Sequence, residues 1–457
     1  QQTCSNSPML RLSVRELTYQ SDSSLLFERV RDLPCPVFLD SAWPYSERGR
    51  FDIISAAPLD TIFINKSDSK RDFQKSFREL AALHSTLPAA SCDHPDLPFT
   101  AGIITSLSYD GGRYIAGVGS AENPYRMPDI YAGLYSWAII VDHHNKQRWL
   151  VSHPATPGNL LTSIEDRLAS LDEPPAHPRF SIKGEFETLV NSERYKVLFN
   201  KVKNYIDSGD SYQINLARRF SADYQGDPWQ AYRKLRMIAA APWSAYLELP
   251  ESQVLCLSPE RFIEVKEREV STAPIKGTAP RSPIPERDRE LAETLTQSEK
   301  DRAENLMIVD LLRNDIGRCC EPGSIRVEKL FELQSFQTVH HLVSTISGRL
   351  ASRYSTLDLL AACFPGGSIT GAPKRRAMEI IHELEPHDRS IYCGSIAYID
   401  LNGNMDSNIA IRTLLCEDDK IYCWSGGGIV ADSEVEAEFE ETWNKVGVLL
   451  ESLTDSP

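Results

Sequence analysis

A lysine and a glutamate that lie near each other in the sequence are the residues most suited to chemistry. Lys276 ends a β-branched, apolar run and precedes Gly277, which allows the backbone to turn. If this lysine is desolvated, the pKa of its amine falls and the amine can act as a nucleophile or a base. Glu260 lies in a turn over residues 258–262 and is able to share a cleft with Lys276. The alternative is an ordinary ion pair near a sheet edge, which is the commoner role of a single lysine or glutamate.

Two pairs of carboxylates have the spacing that places both side chains of a pair on one helix face. Asp301 and Glu304 lie three residues apart in a predicted helix, and Glu438 and Glu441 repeat this spacing. Together the pairs would form an oxygen-rich site suited to Mg²⁺, which keeps several waters and binds substrate oxygens. Each pair alone is better explained as a solvated helix face, because acidic side chains also complement a helix N-terminus.

Glycine-rich segments offer places where the backbone itself can hold an anion. Residues 366–373 lead into a predicted helix over 374–384, whose first amides are suited to this role. The Gly-Lys-Ser/Thr ending of a phosphate-binding loop is missing there. The run from Gly426 to Gly428 either brings the backbone close to a ligand or forms a bulge.

Two further polar positions lie in strand-like runs. Strand alternation should turn either His340 or His341 inward, where a hydrogen-bonded buried histidine is commoner than a catalytic one. Arg412 lies on a predicted strand between two apolar or β-branched residues, and an arginine that faces the interior needs an anionic partner.

Composition limits the classes of function. The chain has 457 residues, 25% of them charged and 41% hydrophobic, as in an ordinary globular protein with two or three domains or one large unit. A net charge of -15 argues against nucleic acid or an anionic membrane surface as the main partner. No run approaches the roughly 18 apolar residues of a membrane span. The ten cysteines lack the spacing of zinc or redox motifs and are interpreted as reduced thiols, which favours the cytoplasm.

Hydrophobic periodicity predicts a mixed α/β chain. We expect scaffold strands in the first third, a proline-rich linker over 171–179, and a four-stranded meander over 244–273. The remaining predicted elements are a helix over 72–84, a helix from 192 that ends at Gly209, a long helix over 286–318, a hairpin that joins 392–401 to 409–416, a turn at Asp418 and Asp419, and a final helix from about 433.

Seven segments of the chain resemble the chorismate-utilising enzymes. As they stand here they read SPERF, PIKGT, DRAENLMIVDLLRNDIGR, HHLVST, FPGGSITGAPKRRAMEII, NMDSNIAIRT and GGGIVADS. The resemblance covers nearly the whole chain. It implies an α/β (α+β) layered fold, with two β-sheets and flanking helices around a Mg²⁺-bound chorismate. We expect an N-terminal region over 1–180 and a chorismate-binding catalytic region over 181–457.

The resemblance also implies roles for individual residues. Glu304 and Glu441 would bind Mg²⁺ directly, Asp301 and Glu438 would support it, and Glu260 would protonate the leaving hydroxyl. The residues implied to hold substrate carboxylates or line the pocket are Tyr392, Arg412, Gly426, Gly428, His341, Ser368 and Thr370.

Two positions distinguish branches of the family. Gln213 stands in the substrate site where isochorismate and salicylate synthases place a water-activating lysine, and glutamine cannot act as a base. Lys276 stands where anthranilate synthases have alanine, and a lysine is typical of the members that aminate C4 of chorismate for 4-aminobenzoate and folate biosynthesis. There the lysine is thought to add to the ring and to be displaced by ammonia. Anthranilate formation and ligand binding without catalysis are the alternatives.

The resemblance implies two further ligands or partners. No cysteine lies in a Gly-x-Cys-x-Gly nucleophile turn, so ammonia would come from a separate glutamine amidotransferase subunit. The segments that form the tryptophan feedback site of anthranilate synthases suggest a second pocket, with a packed interdomain seam as the alternative. The residues of this possible tryptophan pocket are Ser41, Arg50, Phe51, Pro242, Trp243 and Ser244.

Overall fold

The computed structural model describes residues 9–65, 73–119, 123–336 and 339–454. Their strands are β1 (Leu10–Arg11), β2 (Ser13–Leu17), β3 (Val37–Asp40), β4 (Phe51–Ser55), β5 (Asp60–Ile64), β6 (Ala90–Ser91), β7 (Gly102–Leu107), β8 (Ile130–Tyr135), β9 (Trp137–Asp142), β10 (Gln147–Ser152), β11 (Ser181–Glu187), β12 (Gln213–Gln225), β13 (Trp243–Glu248), β14 (Gln253–Ser258), β15 (Arg261–Lys266), β16 (Glu269–Thr272), β17 (Ile275–Pro280), β18 (Arg326–Ser335), β19 (Val339–Arg349), β20 (Gly371–Ala372), β21 (Ser395–Asp400), β22 (Met405–Asn408), β23 (Thr413–Glu417) and β24 (Lys420–Ile429).

Helices alternate with these strands along the described chain. They are α1 (Ser23–Val30), α2 (Phe73–Ser85), α3 (Tyr109–Ile115), α4 (Gly158–Ala169), α5 (Ser192–Asp207), α6 (Pro228–Ala239), α7 (Pro285–Gln297), α8 (Glu299–Gly317), α9 (Thr356–Cys363), α10 (Lys374–Leu384), α11 (Val435–Asn444) and α12 (Gly447–Thr454), with a 3₁₀ turn at Gly367–Ile369. No helix of the described residues is both long and apolar enough to cross a membrane.

Two large antiparallel sheets organise the molecule. The first sheet has the order β11-β12-β24-β23-β14-β13-β3-β4-β9-β10-β2, with β20 paired to the start of β12. The second sheet has the order β17-β19-β16-β15-β22-β21-β7-β8-β5, with β18 along β19. The predicted layered α/β fold with two sheets and flanking helices is confirmed.

The first sheet buries both of its faces. Ile53 and Ile54 are neighbours on β4, but Ile53 belongs to the core shared with the second sheet and Ile54 to a separate core under helices. The second core contains Phe27 of α1 and Trp229 of α6, both fully buried. Because successive strand residues point to opposite faces, one apolar strand serves two layers. Each such buried side chain contributes about 1.5–3 kcal/mol through its removal from water.

The predicted meander over 244–273 is wrong in its pairing, although its four strands form where they were expected. β13 pairs with β14 in the first sheet, whereas β15 pairs with β16 in the second. The chain crosses between the sheets at residues 258–260. There Ser258 Oγ donates to the carbonyl of Ile409 over 2.5 Å, and Glu260 accepts from the Ile409 amide through its carbonyl over 3.1 Å.

A second crossing runs beside the first. β22 of the second sheet ends at Asn408, and β23 of the first sheet begins only at Thr413. The predicted strand over 409–416 is therefore wrong in its first half, because residues 409–412 pass from one sheet to the other. Across the two crossings, the amide of Leu257 donates to the carbonyl of Arg412 over 3.0 Å. The segment over 131–143 divides in the same way, into β8 and β9 in different sheets.

Two predicted helices are each divided in two. The predicted helix over 286–318 breaks at Ser298, which has a non-helical backbone conformation. Ser298 is the N-cap of α8, and its Oγ accepts a hydrogen bond from the backbone amide of Asp301. The predicted final helix breaks after Asn444 into α11 and α12. The predicted helix over 374–384 coincides with α10, and the turn at Asp418–Asp419 forms a hairpin as expected. The predicted hairpin from 392–401 to 409–416 is wrong in its second strand, because β21 pairs with β22, which ends at Asn408.

Strands from both predicted regions are interleaved in both sheets. β3 from the first region pairs with β13 from the second, and β7 pairs with β21. The boundary near residue 180 falls between α4 and β11, outside regular structure. The division into regions over 1–180 and 181–457 stays a prediction about sequence organisation, since the core is continuous across the boundary.

Candidate functional site

A cavity of about 720 Å³ lies where the glycine end of β24 meets the two crossings between the sheets. A volume of this order is typical of sites for small molecules. Twelve of the fourteen residues predicted for catalysis, substrate or metal binding line the cavity: Glu260, Lys276, Asp301, Glu304, His341, Ser368, Tyr392, Arg412, Gly426, Gly428, Glu438 and Glu441.

Glu260 lies on the cavity wall at the crossing from β14 to β15. Its side chain is buried, and Ser368 Oγ donates a hydrogen bond to its Oε1 over 3.3 Å. Burial raises the pKa of this carboxyl, while the charge of Lys276 and the bond from Ser368 act in the opposite direction. The protonated form of Glu260 therefore persists to higher pH than that of an exposed glutamate, as a general acid requires.

Lys276 reaches the same cavity from the start of β17 and is half-buried. Burial lowers the pKa of its amine, opposed by the carboxylates of Glu260, Glu304 and Glu441 and supported by the charge of Lys445. Among the described residues no ion pair joins Lys276 to Glu260. The described residues thus lack the Lys276–Glu260 ion pair that was considered as an alternative. The amine of Lys276 faces the cavity, where it can act on a ligand.

Gly277 explains how Lys276 approaches the acidic helix. The glycine has a φ of +96°, in the left-handed region that disfavours other residues. A Cβ atom at this position would lie 3.2 Å from Cβ of Asp301 and 3.0 Å from Cδ1 of Leu295. The absence of a side chain therefore lets the backbone of β17 contact the first turn of α8.

The four predicted metal-site carboxylates come from two helices that face one cavity. Asp301 and Glu304 lie near the start of α8, and Glu438 and Glu441 lie on α11. Burial raises the pKa of Glu304 and Glu438, and neighbouring carboxylates add to the rise in both cases. Within the described ranges, no three acidic, histidine or cysteine side chains converge closely enough to enclose a metal by themselves.

Two of these carboxylates already have partners. Ser433 Oγ donates to Glu438 Oε1 over 2.7 Å, and Lys445 Nζ lies 2.6 Å from Glu441 Oε1. Lys445 also donates to the carbonyl of Gly426 over 2.8 Å. The lysine thus holds Glu441 against the glycine end of β24.

Arg412 lies in the second crossing, just before β23 and not on a strand as predicted. Its φ of +48° is unusual for a residue with a side chain. Burial lowers the pKa of its guanidinium, and no ion pair or side-chain hydrogen bond to another described residue compensates for this burial. An unpaired guanidinium on a cavity wall is suited to a carboxylate ligand. Tyr392 lies nearby on the wall, with its ring stacked on Trp424.

The two adjacent histidines have different environments, as strand alternation predicts. His340 is buried, with Nδ1 2.6 Å from Ser335 Oγ and Nε2 3.0 Å from Asp288 Oδ1. His341 lines the cavity, with Nδ1 3.1 Å from Thr278 Oγ1. Burial lowers the pKa of His341 to about 4, with a further contribution from nearby arginines. His341 is therefore a neutral hydrogen-bonding group at neutral pH.

Two predicted substrate residues do not line the cavity. Thr370 is fully buried, and its Oγ1 donates to the carbonyl of Gly366 over 3.0 Å, which closes the glycine-rich loop. Gln213 lies directly behind Gly428, where a Cβ atom would be only 2.3 Å from its Nε2. The substrate roles of these two residues stay predictions.

The polar residues that line the cavity and that the sequence analysis missed include Arg48, Asn215, Lys300, Arg389 and Lys445. Two of them carried a signal. Lys445 follows Glu441 by four residues, and Arg389 follows Glu385 by four, the spacing of ion pairs within one turn. Arg48 shows no local pattern, because its contact with Gln334 joins distant segments.

A second cavity of about 400 Å³ lies between the sheets next to the first. All six residues of the predicted second pocket line it: Ser41, Arg50, Phe51, Pro242, Trp243 and Ser244. The guanidinium groups of Arg48 and Arg261 lie over the Trp243 ring, 5.6 and 4.9 Å from its centre. Arg48 and Pro242 line both cavities, so the two spaces share part of a wall. The identity of a ligand in this cavity stays a prediction.

Comparisons with known proteins show which family the chain resembles. The sequence profile of the chorismate binding enzyme family matches residues 40–451. Aminodeoxychorismate synthase component 1 of Klebsiella aerogenes is 43% identical over 97% of this chain and 100% of its own length. The protein of the same name from Escherichia coli is 44% identical over 95% and 96%. A crystal structure of anthranilate synthase component I from Streptococcus pneumoniae superposes with a TM-score of 0.77 at 30% identity, over 89% of this chain and 93% of the other.

Proposed function

The chain belongs to the family of chorismate-binding enzymes, and we propose on that basis that it converts chorismate and ammonia into 4-amino-4-deoxychorismate. This is the reaction of the synthase component of an aminodeoxychorismate synthase, on the route to 4-aminobenzoate and folate. The observation that carries the proposal is Lys276, whose amine has a lowered pKa and faces the same cavity as the buried Glu260.

The side chains of the cavity suit a two-step substitution. In the first step the neutral amine of Lys276 forms a bond to a ring carbon, and the C4 hydroxyl leaves as water with the proton of Glu260. In the second step ammonia forms a bond to C4, and the bond between the ring and Lys276 breaks. The extra proton of the bound ammonia returns to Glu260, so both side chains end in their starting states.

Arg412 and the glycine end of β24 supply the recognition of anions. Chorismate carries two carboxylates, and the net charge of -15 makes a local cation necessary for binding it. The guanidinium of Arg412 offers a bidentate donor, and the glycines at 426 and 428 expose backbone amides without a covering side chain. His341, neutral at physiological pH, adds hydrogen bonds without a further charge.

We further propose that Mg²⁺ binds between α8 and α11. Glu304 and Glu441 would hold the ion, with Asp301 and Glu438 in support. The donor set fits this ion, because Mg²⁺ needs only one or two protein carboxylates and completes its shell with water and substrate oxygens. When bound, the ion would neutralise a substrate carboxylate and the crowded acidic side chains.

The ammonia is proposed to come from a separate glutamine amidotransferase subunit in a heterodimer, in the cytoplasm. Support comes from the relatives, which are named as component 1 of their enzymes, and from the missing Gly-x-Cys-x-Gly turn. For the second cavity we propose tryptophan as the ligand, because the space of about 400 Å³ lies beside Trp243 and carries arginines and polar groups.

The proposed function is tested by incubating the purified chain with chorismate, Mg²⁺ and ammonium, followed by mass analysis of the products. We expect 4-amino-4-deoxychorismate, with no turnover on glutamine unless the partner is added. Lys276→Ala serves as the matched control and should lose this product. Anthranilate and pyruvate as the main products of the unaltered chain would refute the proposal and support the second candidate, an anthranilate synthase.

A further inference from the structure

A buried asparagine follows one of the proposed metal ligands on α8. Asn305 comes directly after Glu304, but it is fully buried and does not line the catalytic cavity. Its Oδ1 accepts a hydrogen bond from Ser344 Oγ over 2.5 Å, and its Nδ2 has no partner among the described residues. A buried donor without a partner lowers the stability of a fold. Stability alone therefore does not explain an asparagine at this position.

Ser344 connects this asparagine to the segment that carries Lys276. Ser344 lies on β19 and is fully buried. While its Oγ donates to Asn305, it also accepts from the backbone amide of Phe331 on β18 over 3.1 Å. The amide of Ser344 donates to the carbonyl of Pro274 over 3.3 Å. Because Pro274 precedes Lys276 by two residues, hydrogen bonds link α8 to the base of the reactive lysine.

Lys276 itself lies in an interruption of the strand pairing. Between residues 275 and 278 the register of β17 against β19 shifts by one residue, so that Lys276 and Gly277 form a β-bulge. A bulge bends its strand and changes the direction of a side chain, here toward the cavity. It also removes the ladder bonds that would otherwise hold the lysine in place. The bond from Ser344 to Pro274 lies at the start of the bulge and fixes the position from which Lys276 extends.

We propose that Asn305 is a positioning residue that holds Lys276, through Ser344, at a fixed distance from α8, an inference that rests on the proposed function. The same helix carries Glu304, which would hold the ion on the substrate. Asn305 thus ties the attacking amine to the element that locates the substrate ring, without touching either one. A reacting atom must lie within about 3–3.5 Å of its target, and a misplacement of about 1 Å costs on the order of 10²-fold in rate.

The first test replaces Asn305 by leucine, which keeps the approximate volume and removes the acceptor. We expect kcat for amine formation from chorismate to fall by roughly 10–100-fold in Asn305→Leu. The covalent adduct of Lys276 with dehydrated chorismate, followed by intact mass without ammonia, should form more slowly by a similar factor. Calorimetry should give nearly unchanged dissociation constants for chorismate and Mg²⁺, because the residues proposed to bind them stay in place.

Ser344→Ala removes the donor of the same hydrogen bond and decides the question if Asn305→Leu does not fold, which circular dichroism and the melting temperature reveal. The two substitutions should not be additive in kcat, because either one breaks the same bond. Ser347→Ala is the matched control. Ser347 lies on the same strand, but its Oγ donates over 2.5 Å to Glu328 at the surface, and its loss should leave kcat unchanged.

The decisive comparison introduces Asn305→Leu into the Lys276→Ala variant. If Asn305 acts only through Lys276, the residual turnover of Lys276→Ala should not fall further. An equal loss in both backgrounds would overturn the positioning role, as would an unchanged kcat in Asn305→Leu or a loss confined to KM. Turnover is measured as the total amine formed from chorismate. Anthranilate as the product would therefore refute the proposed function, whereas the ratios between variants decide the role of Asn305.

Discussion

Replacement of Lys276 by alanine and by arginine separates a nucleophilic lysine from one that only supplies positive charge. Lys276 interacts with three carboxylates of the cavity, and an arginine would keep this charge. If charge were its only role, Lys276→Arg would change the rate by no more than about fivefold, corresponding to roughly 1 kcal/mol for a partly solvated ion pair. Arginine stays protonated and cannot attack a ring carbon.

The covalent role predicts a much larger loss. Without the attacking amine we expect kcat to fall by about 10³-fold or more in both variants, a cost of about 4 kcal/mol in activation free energy at 1.36 kcal/mol per tenfold. In Lys276→Ala, residual turnover should shift toward substitution at C2, as in members of the family with alanine at this position. The two hypotheses therefore differ by more than a hundredfold in the rate of Lys276→Arg.

The assay is steady-state formation of 4-amino-4-deoxychorismate, together with intact-mass analysis of protein incubated with chorismate in the absence of ammonia. The unaltered chain should carry a dehydrated chorismate adduct that Lys276→Ala lacks. Lys300→Ala is the matched control for charge, because Lys300 lines the same cavity but is exposed, and its loss should cost no more than about fivefold. A Lys276→Arg variant with nearly the unaltered rate would refute the covalent role.

Three further predictions follow from the site. Glu304→Gln and Glu441→Gln should each lose most activity at limiting Mg²⁺ and bind the ion more weakly in calorimetry. The control Glu440→Gln, at an exposed position, should keep its activity and its affinity for Mg²⁺. Full activity of Glu304→Gln and Glu441→Gln would show that the acidic pairs are only helix surface. Tryptophan should bind the second cavity in calorimetry and lose affinity in Trp243→Ala, and absence of binding at millimolar tryptophan would favour a packed seam. Burial raises the pKa of Glu260, so its stabilising contribution is full below the pKa of a free glutamate and is lost as pH rises through the raised value. Glu260→Gln should therefore raise the melting temperature more at pH 8 than at pH 4. The same substitution should lower the catalytic rate by roughly 10²–10⁴-fold at all pH values. An equal change in melting temperature at both pH values would contradict the assigned ionisation.

Local signals in the sequence identified most elements but not their partners. α10 matches its prediction because a proline precedes it and a strong apolar stripe runs along it. The predicted pairing within the meander was wrong because the periodicity of a strand indicates its two faces but not the sheet that the strand joins. Ser258 and Glu260 turn the chain into the other sheet through bonds to Ile409, which is far away in sequence. The break at Ser298 was readable in principle, since a serine three residues before Asp301 is an N-cap signal.

Much of the candidate site could be predicted from the sequence because its reactive residues are concentrated in short segments. Lys276 and Glu260 could be selected by residue type and neighbours, and the acidic pairs by helical spacing. Arg48 and Asn215 could not be selected in this way, because only contacts with distant segments bring each of them to the cavity. Thr370 was grouped with the ligand-facing residues of its loop, although the fold turns its hydroxyl back to Gly366.

The side-by-side crossings also decide when the site can exist during synthesis. One crossing contains Glu260 and the other contains Arg412, and each depends on bonds from the other. The carboxylates of α11 are added later still. A nascent chain that has emerged from the ribosome only up to the end of α10 therefore has neither a complete second sheet nor a closed cavity. Its long-range strand pairings form only after the later strands have emerged. Until α11 has been synthesised the chain is unable to engage chorismate, and the ligand can stabilise the fold only after α11 has emerged.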